Sequence, residues 1–166
     1  MGGERKMSKD FSILRLLGSI IICQLAGLIG SLFTVPAIPT WYAQLAKPSF
    51  NPPNWLFMPV WLTLYLLMGI SLYLIWSKNT KQVEVKQALV IFAIQLVLNA
   101  LWSIVFFGLH SLLGSSLLII VLWLAILLTI LRFHKLSPPA GYLLIPYLLW
   151  VTFASVLTWA IYLLNR

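Results

Sequence analysis

Apolar residues in this chain come in long unbroken runs, not in alternation with polar ones. No charged residue occurs from Pro48 to Ser77, from Gln87 to Leu131, or from Leu136 to Asn165. A helix rises 1.5 Å per residue, so crossing a hydrocarbon layer of about 30 Å takes about 20 residues. The first and last runs each hold one span. The middle run holds two, with a tight reversal around Gly108–Ser116. Ile13–Val35, broken only by Arg15 at its edge, adds a fifth. The spans are predicted near 13–35, 54–76, 87–107, 112–132 and 140–163. Uninterrupted runs lack the two-residue period of a membrane barrel, so the expected fold is an all-α bundle of five transmembrane helices. It forms a single domain, 13–166, after an N-terminal segment, 1–12, whose first six residues read as a remnant ahead of a start at Met7.

Composition agrees. Apolar residues make up 61% and charged residues 8%, against about 25% charged in soluble domains. That excludes a soluble enzyme and a disordered chain, and Cys23 alone excludes a disulfide scaffold. The net charge of +8 does not point to nucleic acid, because the basic residues punctuate apolar runs and do not line a face. Arg5, Lys6, Lys9 and Arg15 precede the first span, Lys78, Lys81 and Lys86 follow the second, and Arg132 and Lys135 follow the fourth. Only Lys47 and Arg166 lie on the other side. The positive-inside bias therefore predicts a cytoplasmic N-terminus and an external C-terminus. The expected location is a bacterial-type cell membrane, with an organelle or outer membrane as the alternative.

Side chains then fall into faces. Ser19, Cys23, Gly27 and Ser31 recur every four residues on the first span, a row that lets a helix backbone approach, within the chain or in a homodimer. Residues 36–53 form one stiff loop containing Pro36, Pro39, Pro48, Pro52 and Pro53, readable as an aromatic belt or as a lid. The second span carries Trp61, Tyr65, Gly69 and Tyr73 on one stripe. The third carries Gln95, Asn99, Trp102 and Phe106, and the fifth Tyr147, Trp150, Ala154 and Thr158. Trp61, Trp102 and Trp150 lie too deep for a headgroup belt, whereas Trp41, Trp55, Trp76 and Trp159 fit one. Trp123 is deep without a polar neighbour.

Several chemistries are excluded. Apart from Arg15, no Asp, Glu, Lys or Arg lies within a predicted span, which argues against proton-coupled pumps. Glu4, Asp10 and Glu84, the only acids, fall outside the spans, so paired-carboxylate catalysis is absent. His110 and His134 bracket the fourth span, roughly 36 Å apart at 1.5 Å per residue, and cannot share a metal. What remains is an apolar, aromatic chamber opening mostly toward the outer face, suited to a large flat molecule. Asn99 there either bonds between helices or meets a ligand. Lacking an axial ligand within the membrane, the chamber fits a metal-free ring better than haem, and no cofactor is required.

The stretch from Trp41 to Tyr65, WYAQLAKPSFNPPNWLFMPVWLTLY, resembles the tryptophan-rich sensory protein/translocator protein family (TspO/MBR, the peripheral-type benzodiazepine receptors). The resemblance continues through Met68-Gly69, Tyr73, Trp76, Leu98–Trp102, Phe106–Gly108, Pro146–Trp150 and Phe153-Ala154. It implies a five-helix bundle, commonly a homodimer, with a ligand pocket beneath the first loop. It also implies porphyrin ligands of the protoporphyrin IX type, with sterols and isoquinoline or benzodiazepine drugs in some members. Pocket positions implied by the resemblance are Trp41, Tyr42, Pro52, Pro53, Trp61, Tyr65, Asn99, Trp102, Tyr147, Trp150 and Ala154. Trp61 and Trp150 match residues tied in some members to light-dependent porphyrin breakdown, and are the candidate catalytic pair. A weak sterol pattern runs Leu157, Tyr162, Arg166. The expected function is porphyrin transport, sensing or stress regulation. The alternatives are light-driven porphyrin degradation and a membrane scaffold or sterol-binding role.

Overall fold

The structure, a computed structural model, describes residues 12–78 and 80–166. The predicted basic residues Arg5, Lys6 and Lys9, and the boundary at Met7, lie outside them. Helix α1 (Ile13–Ala37) is followed by a short α2 (Trp41–Gln44) in the first loop. A 3-10 turn at Asn54–Leu56 leads into α3 (Phe57–Trp76). Then come α4 (Val83–Ser103), α5 (Leu112–Leu136), a short α6 (Pro138–Tyr142) and α7 (Ile145–Leu164). Among the described residues, five helical stretches are long and apolar enough to cross a membrane. The protein is an integral multi-pass membrane protein.

Local chemistry explains the ends. Ser12 caps α1 by accepting from the Arg15 amide at 3.4 Å, and Ser111 caps α5 by accepting from Gly114 at 3.3 Å. Within the spans, hydroxyls turn back onto their own helices: Ser116 onto Leu112, Thr129 onto Ala125, Ser155 onto Val151 and Thr158 onto Ala154. Bonds of this kind satisfy polar groups where lipid offers no partner.

Helix α1 threads the bundle on small residues. A methyl group on Gly69 would lie 2.6 Å from the Ile20 Cα, and one on Gly27 would lie 2.3 Å from the Tyr65 ring, so α1 and α3 nearly touch. A methyl group on Gly30 would lie 3.0 Å from the Ser103 Oγ of α4, a close but looser approach. Ser19, Cys23, Ala26 and Gly30 are all buried. Of the predicted row, Ser19 and Cys23 are buried within the chain, while Gly27 and Ser31 are half-buried and line a cavity. On the far side, Ser71 donates to the Ala140 carbonyl at 2.7 Å and ties α3 to α6. A core of Met68, Ile75, Val85, Phe92, Ile126 and Phe133 fills that half of the bundle.

Several boundaries differ from the sequence reading. Helix α1 runs through Pro36 to Ala37, so the loop begins at Ile38. Pro36 loses one backbone bond near the helix end, while Ile38 still bonds Thr34 at 3.1 Å and Thr40 Oγ1 donates to the Pro36 carbonyl. Helix α4 starts at Val83, with Glu84 in its first turn, and α5 extends through His134 and Lys135. These ends continue beyond the apolar run because helix hydrogen bonding does not stop at the hydrocarbon edge. The fifth span is two helices, with Pro138 starting α6 and Pro146 near the start of α7. The Gly108–Ser116 reversal is confined to Leu109–Ser111, after a π turn at Ile104–Gly108 in which Leu109 bonds Ile104 at 2.8 Å. His110 takes φ 52° there, the left-handed region that a tight reversal demands.

Candidate functional site

A cavity of about 930 Å³ lies between α1, α3, α7 and the end of α4 nearest the first loop, near the top of the roughly 300–1,000 Å³ range of small-molecule pockets. Its wall includes Trp61, Tyr65, Trp102, Trp150, Ala154 and Thr158, with Phe57, Phe106 and Phe107 between them and Tyr42 above. No acidic, basic, histidine or cysteine side chain lines it. The rings support one another: Trp61 stacks on Tyr65 at 5.5 Å, Trp102 on Phe106 at 5.3 Å, and Phe57 meets Trp150 edge-on at 6.2 Å. Trp61 and Trp102 are half-buried, with ring surface free to meet a guest. The Trp102 indole N–H has no partner among the described residues.

Behind this wall a polar relay joins three helices. The Tyr65 hydroxyl donates to Asn99 Oδ1, and Asn99 Nδ2 donates to the Tyr147 hydroxyl at 2.9 Å. Asn99 and Tyr147 are 2% and 0% exposed and do not reach the cavity. Of the two sequence readings of Asn99, the structure shows the interhelical bond. Gln95, one turn away on the same face, is also buried, and neither end of its amide finds a partner among the described residues.

The first loop is pinned over the cavity. Tyr42 is buried and donates to Asn51 Oδ1 at 2.7 Å, while Asn51 Nδ2 donates to the Pro52 carbonyl. Burial pushes the Tyr42 phenol up to about 12, so it stays a neutral donor at neutral pH. Asn165, just past α7, accepts from the Ala46 amide at 3.0 Å and donates to the Ala46 carbonyl at 2.9 Å. Lys47 sits 4.9 Å above the Tyr42 ring. Trp41 stacks on His110 at 4.3 Å and meets Phe106 edge-on, so it is neither a free belt residue nor part of the cavity wall.

Of the residues singled out from sequence, the cavity thus gathers Tyr42, Trp61, Tyr65, Trp102, Trp150 and Ala154, while Trp41, Pro52, Pro53, Asn99 and Tyr147 stand outside it. The opening runs between α1 and α3, where the lining residues Leu25, Leu28, Met58 and Leu62 are exposed, and it continues to the loop end, where the lining residues Val35 and Trp55 are exposed as well. Trp123 is not without a polar neighbour: its indole N–H donates to Thr152 at 2.8 Å, a partner on the next span. The α1 wall went unread because its residues are plain Ile, Leu and Gly. The signal available was Gly27, a small residue facing a large one. No cluster of three or more His, Cys, Asp or Glu side chains exists among the described residues.

The TspO/MBR family model matches residues 19–164. The chain is 47% identical over 157 residues to the tryptophan-rich protein TspO of Archaeoglobus fulgidus, covering 93% of this chain and 99% of that one. It is 46% identical over 153 residues to its namesake in Chlorobaculum tepidum, covering 92% and 97%. With the human translocator protein the identity is 34% over 149 residues, covering 88% and 87%.

Proposed function

The chain belongs to the TspO/MBR family of membrane tryptophan-rich sensory and translocator proteins, and from that premise we propose that it binds a flat tetrapyrrole of the protoporphyrin IX type for transport, sensing or stress regulation. The observation that carries this reading is the apolar cavity on which Trp61, Trp102 and Trp150 converge. Indole faces hold a planar conjugated guest by stacking, and aromatic pairs contribute about 0.5–1.5 kcal/mol each beyond area burial. A metal-free ring suits the wall better than haem. Histidine and cysteine are absent from it, the Tyr65 hydroxyl is engaged by Asn99, and Met58 sits at the exposed mouth.

Sterols and isoquinoline or benzodiazepine compounds would compete for the same space. The sterol pattern itself is split between surfaces: Leu157 is buried against the cavity while Tyr162 packs on Trp159. A homodimer would form through a lipid-facing surface of the bundle. We orient the chain with the first loop outward, following the basic residues. Tryptophan quenching by protoporphyrin IX tests the reading. Saturable quenching at micromolar ligand is expected, and its absence overturns the proposal. Light-driven porphyrin breakdown is the second reading, favoured by Trp61 and Trp150 sharing one cavity. It predicts a new absorbing product under illumination that disappears when both become Phe while binding persists.

A further inference from the structure

We propose that the guest enters sideways from the bilayer, through a slit between α1 and α3, and not down through the first loop; this rests on the porphyrin reading above. Over residues 41–51 the loop is held shut, and the exposed lining residues at the loop end, Val35 and Trp55, belong to α1 and to the turn that leads into α3. Tyr42 is 3% exposed and bonded to Asn51, the Ala46 backbone is held at both its N–H and C=O by Asn165, and Trp41 lies against His110.

The side is open. Leu25 and Leu28 of α1 and Met58 and Leu62 of α3 line the cavity, yet are 50%, 56%, 65% and 54% exposed. Exposed lining residues on both facing helices mark where the cavity reaches the surface. Gln24 Nε2 donates to the Leu62 carbonyl at 3.2 Å across the two helices, which run antiparallel. That bond fixes the register, placing Leu28 opposite Met58 one turn nearer the loop. Toward the other end of the bundle the helices seal, because Gly69 brings α3 against the Ile20 backbone. The slit therefore closes at one end on helix contact and opens toward the loop, within the leaflet on the loop side.

Its chemistry selects the guest. The rims are aliphatic and uncharged, so a molecule arriving from water would have to shed its hydration at an apolar edge. A flat ring already dissolved in the acyl layer passes edge-on without that step. Uptake then follows the amount of ligand in the membrane, and the loop acts as a fixed roof.

The test uses the full chain in lipid nanodiscs with Cys23→Ser. One sample carries Leu28→Cys with Met58→Cys, joined by a reducible bifunctional thiol reagent. A second carries Ala46→Cys with Asn165→Cys, joined in the same way. Association of protoporphyrin IX is followed by stopped-flow tryptophan quenching, before and after the linker is cleaved. Stapling the slit is expected to slow association at least tenfold, with recovery on cleavage, while stapling the loop changes the rate less than threefold. Slowing by the loop staple, or an unchanged rate with the slit stapled, overturns the lateral route. Leu28→Trp, which fills the slit without a linker, gives an independent version and is expected to slow entry in the same way. Failure of the unstapled protein to bind at all would instead count against the porphyrin reading.

Discussion

Replacing Asn99 by Leu separates the structural role of that residue from a ligand role. Asn99 joins α3 to α4 by accepting from Tyr65 and joins α4 to α7 by donating to Tyr147 at 2.9 Å. Leucine fills similar volume without either bond. Interhelical hydrogen bonds in membranes contribute about 0.6 kcal/mol on average and up to about 1.7, so two of them give about 1–3 kcal/mol. The upper end is expected, because Tyr65 and Tyr147 are 6% and 0% exposed and their hydroxyls would be left without these partners. Asn99 does not line the cavity, so porphyrin Kd is expected to move less than threefold, or about 0.7 kcal/mol. Denaturant unfolding of the ligand-free protein in detergent, paired with a quenching titration, reads both quantities. A double-mutant cycle between Asn99→Leu and Tyr147→Phe should return a coupling near that of one interhelical bond, roughly 0.6–1.7 kcal/mol. A tenfold loss of affinity with unchanged ligand-free stability would refute the reasoning and make Asn99 a ligand contact.

Gly69→Val should cost about 1–3 kcal/mol, because the added carbons meet the Ile20 backbone and not a flexible side-chain end; an unchanged melting temperature would show that α1 and α3 can move apart freely. Asn165→Ala removes both bonds to Ala46, and at about 1 kcal/mol of net stabilisation the loop should become roughly fivefold more sensitive to protease, with cleavage mapped between residues 38 and 53. Cysteines at Gln44 and Gln82, in a Cys23→Ser background, should label oppositely with an impermeant thiol reagent on intact cells; labelling of the Gln82 site alone would invert the orientation.

The bundle was legible because lipid imposes one rule: every backbone bond must be satisfied within the helix, so charge-free runs of sufficient length become spans. Helix ends were less legible, since α5 carries His134 and Lys135 in its last turn where headgroups and water tolerate charge. Pro36 read as loop because proline ends most helices, yet one missing bond near the end of α1 is a small loss. Stripes of aromatic residues identified the cavity side of α3 and α7, and Trp61, Tyr65 and Trp150 are in its wall. Sequence could not separate the wall from the layer behind it. Tyr147 and Asn99 share faces with cavity residues, but the relay through Tyr65 draws them away from the guest's space. Trp41 belongs to the roof, where it stacks on His110, a residue far away in sequence, and Pro52 and Pro53 lie outside the cavity wall.

The most direct measurement is the structure of the chain with protoporphyrin IX bound. The ring is expected in the cavity between α1, α3 and α7, with one of its pyrrole centres about 4.5–7 Å from the Trp61, Trp102 or Trp150 ring centre as aromatic stacking requires, with one edge at Leu28 and Met58 and with Trp41 still on His110. A porphyrin seated against Trp41, Pro52 and Pro53, or on the lipid-facing surface away from the slit, would contradict this.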